Sequence, residues 1–471
     1  MPLPQALLQS LQGVAGFDEA AFVQAHQQPE PLTSIRINPA KMEMVNHKWA
    51  IGNFFHHARF NVGGSIPWSQ FGYYLTQRPS FTFDPLFHAG CYYVQEASSM
   101  FLEQALMQTV DLSKEIKVLD LCAAPGGKST HIQSLLSPNS LLVSNEVIKS
   151  RSGVLKQNII KWGSNNVIVT NNDPQHFARL SGFFDVMIVD APCSGSGLFR
   201  KDAEAVSEWS EDAVQMCCGR QKRILSDALP ALKQNGILIY STCSYSKEED
   251  EDIADWLVQE MDMENIQLHI KEDWHIVESI SSKTASAGYR FYPDKTKGEG
   301  FFLSCFIKRG ETISKNVKSQ KPEKATAKEQ AIVDQWISTN NMVLLKHNNQ
   351  IFALPQNIIS DFAVIKQALN IQYAGTFIGE LMREKLIPDQ ALAVSTILSG
   401  SVKKVEVSYE EAIKYLQKNE LHWDIPNTGW QVVTFQNKAL GWINALPNRI
   451  NNYYPKEIRI LKRQDGSAFE K

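Results

Sequence analysis

Between residues 116 and 261 the chain alternates between two hydrophobic patterns. Short continuous apolar runs of strand length stand at IKVLDLC (116–122), LLVSNE (141–146), NVIVTN (166–171), FDVMIVDAPC (184–193) and GILIYSTCS (236–244). Between most of them, at 128–136, 149–162 and 211–233, apolar positions recur at helical spacing, and a further helix at 248–261 follows the last run. Continuous apolar strands separated by helices predict a parallel sheet covered on both faces. Ligands of such sheets sit beyond the carboxyl ends of the strands. That rule places Asp120, Cys122, Glu146, Asp173, Asp190, Cys193 and Cys243 along one rim.

The flanks carry other patterns. Before the sheet come helical stretches at 4–12 and 18–26, an extended LTSIRINP (32–39), an aromatic, turn-rich segment at 54–92, and a helix predicted at 94–106. After residue 305 a polar, lysine-rich stretch (308–328) reads as a solvated linker. Short strands such as MVLLKH, IFALP, WQVVTF and ALGWINAL then predict a small mixed α/β or barrel-like module. The expected division is an N-terminal region (1–110), an α/β domain (111–308), a linker (309–329) and a C-terminal domain (330–471).

Composition narrows the class. At 471 residues the chain needs more than one core. No apolar run approaches the roughly 18 residues of a membrane span, and the start lacks a basic segment followed by a long apolar one. Seven cysteines without framework spacing suit reduced thiols, so a cytoplasmic protein is expected. No C-x-x-C or H-x-x-x-H occurs, so no metal is expected. A net charge of −3 gives no general support for nucleic-acid binding. Locally, residues 448–463 set Arg449, Lys456, Arg459, Lys462 and Arg463 against Glu457, beside Tyr453 and Tyr454. That mixture suits base stacking and phosphate contact, and equally a plain exposed strand and turn.

The rim residues suggest the chemistry. LDLCAAPGGKST (119–130) is strand, glycine turn and helix, and it lacks the first glycine of a phosphate-binding loop because Cys122 stands there. Alone it leaves an adenosine ligand, a phosphate and a simple tight turn open. Glu146 at the next strand end can take ribose hydroxyls, and Asp173 after the third can reach an adenine amino group. A nucleotide-binding ATPase, the alternative, would want a magnesium-holding acid beside Lys128, and Asp190 is committed to a proline–cysteine turn. S-adenosylmethionine is therefore the preferred cofactor. Cys91, Cys122, Cys217, Cys218 and Cys305 read as small apolar residues. Cys193 and Cys243 end strands that are neighbours if the sheet has its usual order. Ser246 and Glu249 have capping-box spacing, so a helix dipole behind Cys243 could favour its thiolate. Two thiols beside a methyl donor fit methylation of pyrimidine carbon 5. One thiolate adds at carbon 6, an acid such as Asp190 steadies charge near nitrogen 3, and the other thiol assists release. Spacing does not say which thiol attacks.

The motifs LDLCAAPGGKS, DAPCSGSG followed by Arg200-Lys201, YSTCSYSKEED and EGFFLSCFIKR (299–309) resemble the Sun/Fmu family of RNA cytosine-5 methyltransferases. VQEASSM and RSGVLKQNIIKWG fit the same pattern, and the match covers roughly residues 30–309. The resemblance implies a Rossmann-like S-adenosylmethionine-dependent domain behind a small α+β, RNA-contacting N-terminal region. It assigns the attack to Cys243 and product release to Cys193. It also carries cofactor binding over to Cys122, Ala123, Ala124, Pro125, Gly126, Gly127, Lys128, Glu146, Asp173 and Asp190. The C-terminal part, with YAGTFIGELMREKLIPDQALA (373–393) and NRINNYYPKEIRI, is similar to the PUA-like RNA-binding extension of the bacterial RsmF-type enzymes. That similarity implies 16S small-subunit ribosomal RNA as partner, with tRNA or large-subunit rRNA as alternatives. Asp250 stands where the family frequently has asparagine, and Asp294 where it commonly has histidine.

Overall fold

The structure, a computed structural model, describes residues 3–27, 32–42, 44–45, 48–49, 60–312, 319–338, 341–425 and 427–462. Part of the aromatic segment (54–59), the middle of the lysine-rich linker (313–318) and Arg463 lie outside the described residues.

Two short helices, α1 (Gln5–Ser10) and α2 (Glu19–His26), precede the strands β1 (Ser34–Ile37), β2 (Val62–Ser65), β3 (Gly72–Leu75) and β4 (Tyr92–Val94). These strands form a sheet in the order β2-β3-β1-β4, with helix α3 (Pro85–His88) before β4. The helix expected at 94–106 begins later. Val94 is held in the ladder opposite Ile35, and the regular helix α4 spans Leu102–Thr109.

The predicted parallel sheet is present. Its strands are β5 (Lys117–Asp120), β6 (Leu141–Asn145), β7 (Val167–Thr170), β8 (Phe184–Asp190) and β9 (Leu232–Thr242). Helices α5 (Gly127–Leu135), α6 (Lys149–Trp162) and α7 (Glu211–Ala228) lie between them. The helix expected to run to residue 233 stops at Ala228. Pro230 has no N–H to donate, and Leu232 already pairs with Phe184. Helix α8 (Glu251–Glu260) follows β9. Alternate residues of each strand enter different cores. Val118, Leu142, Val186 and Ile239 pack on one face, and Leu119, Val143, Met187 and Leu238 on the other. That is why the runs read as continuously apolar.

Strands β10 (Met263–Ile266), β11 (Val277–Ile280), β12 (Ala287–Phe291) and β13 (Phe301–Lys308) extend the sheet antiparallel, giving the order β11-β12-β13-β9-β8-β5-β6-β7 with β10 on β13. The far edge holds a strand that the sequence assigned elsewhere. After helix α9 (Ala327–Val333), β14 (Met342–His347), β15 (Gln350–Pro355) and helix α10 (Ile359–Ala368), β16 (Ile371–Ala374) pairs antiparallel with β7. The expected C-terminal domain is therefore not one detached unit, and its first part is built onto the central sheet. Asn172 fixes the junction, accepting from Asn370 N at 3.0 Å and donating to Asn370 O at 3.2 Å.

Strands β17 (Thr376–Met382) and β18 (Lys385–Pro388) complete a small sheet with β14 and β15, and helix α11 (Gln390–Ala393) follows. The last module has β19 (Lys404–Glu406), helix α12 (Tyr409–Leu416), β20 (Gly429–Phe435), β21 (Lys438–Leu446) and β22 (Arg449–Asn452) in one sheet with α12 against it. It shares a core with the N-terminal sheet: Ile35, Leu86 and Tyr92 pack with Ile413, Leu416 and Ile443. Tyr454 belongs to that core at 1% exposure, so the stacking role considered for it is lost, while Tyr453 lies against Trp430 with ring centroids 4.3 Å apart. Among the described residues no helix is long and apolar enough to cross a membrane.

Candidate active site

The strand order reverses between β5 and β8, and a ligand crevice opens at such a reversal. The loop after β5 is tied to both neighbouring strands, with Leu121 N–H donating to Ile188 O (3.0 Å) and Ala123 N–H to Asn145 O (2.8 Å). Gly126 turns the chain into α5 at φ +114°, where a Cβ would meet Asn158 and Leu155 at 3.3 Å. Helix α6 takes the loop's carbonyls: Arg151 donates to Ala124 O and Asn158 to Pro125 O, each at 2.8 Å. Beneath α5, the buried Arg36 of β1 donates to Thr130 Oγ1 (2.6 Å) and Gly127 O (3.3 Å). The N-terminal sheet thus props up the loop.

A cavity of about 200 Å³ lies in front. Cys122, Ala123, Ala124, Pro125, Gly127, Lys128 and Asp190 line one side, and Tyr93, Gln95, Glu96 and Ser99 of the N-terminal region close the other. Those N-terminal residues sit in or beside the VQEASSM stretch, whose sequence gave no sign of what they face. Lys128 Nζ is 2.7 Å from Asp190 Oδ2, and Ser241 donates to Asp190 Oδ1 at 2.9 Å. Burial opposes charge on Lys128, but the Asp190 carboxylate outweighs it and holds the ammonium above its usual range. Glu146 and Asp173 lie farther along the rim and do not line this cavity. Glu146 accepts from Ile148 N (2.9 Å) with Arg151 at 3.7 Å, while Asp173 caps its own turn through Gln175 N (3.2 Å) and faces Arg223 at 3.6 Å.

Asp120 is fully buried beneath the loop. Ser129 donates to its Oδ2 at 2.6 Å, and Oδ1 has no hydrogen-bond partner. A glycine turn that carries the loop backbone along the cavity wall, an orphaned buried acid beneath it and carboxylates farther along the rim fit an adenosine-type methyl donor at residues 122–128. Burial pushes Asp120 up to about 7; its bond from Ser129 opposes this and the charge on Asp190 adds to it. Across the window from an ordinary aspartate value near 4 to about 7, the folded chain keeps a proton the unfolded chain has lost, so stability falls as pH rises. Asp120→Asn should flatten that slope. The loss of stability between about pH 5 and about pH 8, read from urea midpoints, should shrink by roughly 2–4 kcal/mol.

The two cysteine turns meet at the neighbouring strand ends. Asp190 is in register with Ser241, and Cys193 Sγ lies 3.0 Å from Cys243 Sγ. Gly197 N–H donates to Cys243 O at 2.8 Å, and a Cβ on Gly197 would stand 2.5 Å from Gly300 O. One carboxylate clamps both turns. Glu249 accepts from Ser194 N (2.9 Å), Ser194 Oγ (2.5 Å), Ser244 Oγ (2.7 Å) and Gln221 Nε2 (3.0 Å). The expected Ser246–Glu249 capping box is therefore absent. Glu249 is spent on the serines, a single 3₁₀ turn (Lys247–Glu249) without a side-chain cap follows Ser246, and the regular helix α8 starts only at Glu251. The hydrogen bond with Cys243, then burial, hold the Cys193 thiol well above the usual range. Cys91 and Cys305 are buried and Cys217 and Cys218 half-buried. No group of three potential metal ligands occurs among the described residues.

Residues 107–307 match the family described as 16S rRNA methyltransferase RsmB/F. Residues 3–97 match the N-terminal domain of 16S rRNA methyltransferase RsmF, and residues 402–460 its PUA domain. A relative from Psychromonas ingrahamii named ribosomal RNA small subunit methyltransferase F is 29% identical, covering 97% of each chain. One of the same name from Shewanella piezotolerans is 28% identical, covering 90% of each. Among solved structures, a methyltransferase homolog from Pyrococcus horikoshii aligns with TM-score 0.51 and 27% identity, over 65% of this chain and 100% of that one. NSun6 of the same organism, solved with the S-adenosylmethionine analogue SFG, shares the fold at TM-score 0.53 and 19% identity, over 66% of this chain and 99% of that one.

Proposed function

The chain belongs to the RsmB/F family of 16S rRNA methyltransferases, with an RsmF-type N-terminal domain and PUA domain, and from that premise we propose that it makes 5-methylcytosine in small-subunit ribosomal RNA. The observation that carries this reading is the pair of thiols 3.0 Å apart beside the Lys128–Asp190 pair. An ATPase would need Asp190 free for magnesium, whereas Lys128 and Ser241 both hold it.

Residues 122–128 with Glu146 and Asp173 would hold S-adenosylmethionine, which when bound supplies an electrophilic methyl group. The Cys243 thiolate adds to carbon 6 of the cytosine, and the displaced ring electrons make carbon 5 the nucleophile that takes the methyl group. Asp190, held as a carboxylate by Lys128 and Ser241, would accept from the N–H groups on the base's pairing edge, and the Lys128 ammonium beside it would offset the negative charge that addition puts on the ring. Cys193, once it has given up its own proton, takes the carbon-5 proton as a thiolate and becomes the thiol. The electrons of that carbon–hydrogen bond re-form the ring double bond, and the sulfur–carbon bond breaks with its pair returning to Cys243 as a thiolate. The base must be unpaired or flipped to reach a thiol at a strand end. The PUA domain supports RNA as the partner, and the cytoplasm is the matching compartment.

The test is digestion of RNA treated with the protein and methyl-labelled S-adenosylmethionine. Label is expected in 5-methylcytidine from small-subunit rRNA. Label in another nucleoside would end the chemistry, and label only in tRNA or large-subunit rRNA would end the substrate assignment.

A further inference from the structure

A second cavity, about 680 Å³, lies where α6 meets the N-terminal region, the small sheet of β14, β15, β17 and β18, and the end of the PUA domain. The methyl-transfer chemistry uses none of it. Three cations line it, Lys156 and Lys161 of α6 and Arg459 of the PUA end, against two acids, Asp389 and Glu457. Asp389 caps α11 through Ala391 N at 2.8 Å and faces Lys156. Lys161 differs. Its ammonium sits 3.8 Å from the centroid of the Phe87 ring and, among the described residues, has no carboxylate within salt-bridge reach. Burial lowers it to about 8, the expected cost of a half-buried charge without an anion.

The other walls suit a base. Phe352 and Phe377 stack at 4.9 Å and 28° to form an aromatic platform. Gln157, Gln350 and Gln372 also line the cavity. Gln390 also lines the cavity, and its amide is turned away from it, with Nε2 donating to Leu440 O at 2.7 Å and Oε1 buried against Gly441. An ammonium without a carboxylate, a guanidinium and a stacked aromatic pair in one concavity match the parts of a nucleotide. The cavity is also coupled to the methylation site. Helix α6 presents Lys161 here and Arg151 to the cofactor loop, roughly 15 Å apart at 1.5 Å per residue.

Resting on the RNA reading above, we infer that this cavity receives one unpaired nucleotide of the substrate RNA, its base against Phe352 and Phe377 and its phosphate toward Lys161 and Arg459. Anchoring there holds the strand across α6 while a neighbouring cytosine reaches Cys243.

The full chain should be titrated with a labelled single-stranded RNA oligonucleotide over a range of KCl concentrations, as wild type, Lys161→Gln, Arg459→Gln and Phe377→Ala. Each charge variant should lower the slope of log affinity against log salt by about 0.7, one single-strand phosphate contact. Phe377→Ala should weaken binding about 5- to 100-fold with the slope unchanged. S-adenosylmethionine affinity, measured alongside, should not change in either charge variant, which separates a lost contact from a lost fold. RNA binding with wild-type slope and affinity in both charge variants overturns the cavity assignment and leaves the proposed reaction standing. A wild-type chain that binds S-adenosylmethionine but no RNA overturns the RNA reading and this proposal with it.

Discussion

Cys243→Ala is expected to abolish methyl transfer and to form no protein–RNA adduct, whereas Cys193→Ala is expected to trap one. Both thiols sit at the ends of neighbouring strands with sulfurs 3.0 Å apart, so the two variants disturb the same space. Their chemistry separates them. Without the Cys243 sulfur no bond to carbon 6 forms. Without the Cys193 sulfur that bond forms and the carbon-5 proton stays. Turnover in Cys193→Ala should fall by about 10²–10⁴-fold, the usual value of a positioned base. The adduct should survive denaturing electrophoresis and disappear in the double variant. A trapped adduct in Cys243→Ala instead would exchange the two roles.

The largest expected stability effect lies one layer beneath the Cys243 turn. Arg290, 2% exposed in its side chain, reaches Asp250 Oδ2 at 3.1 Å and Glu251 Oε1 at 2.6 Å, and donates to Tyr245 O at 2.9 Å. Removing the guanidinium strands two buried acids, which costs about 3–5 kcal/mol. Arg290→Met should show that loss in its urea midpoint, with methylation falling as the Tyr245 segment loosens. Asp250→Asn should be mild, about 1 kcal/mol or less. Burial drives the Asp250 carboxyl well up, toward its neutral form, against the pull of Arg290. For Glu251 burial acts the same way, but the guanidinium outweighs it and keeps that carboxyl below its usual range. Thr242 already bonds Asp250 Oδ1 at 2.6 Å, as an amide oxygen would accept. Equal losses in the two variants would show Asp250 to be the charged partner.

How much of this was legible in the chain follows from what each signal reports. Apolar runs with intervening helices defined the parallel sheet because a strand buried on both faces must be apolar at every position. The strand ends then placed Cys193, Cys243, Asp190 and the 122–128 loop on one rim. The same local signals failed wherever a side chain had two available partners. Glu249 has capping-box spacing from Ser246, yet three-dimensional proximity offered it Ser194 and Ser244, and the pair of turns won. Tyr454 has the composition of an exposed basic strip and is core.

The sequence by itself determined the central sheet, the gathering of its strand-end residues on one rim, and the presence of two thiols and a loop suited to a methyl donor. Periodicity and strand-end chemistry are local and survive without knowledge of neighbours. Only the tertiary structure decided that β16 closes the sheet edge, that Tyr93 and Glu96 wall the cavity, and that the PUA module shares a core with the N-terminal sheet. Periodicity says that a face is buried. What buries it is a contact across hundreds of residues, and no local pattern carries that.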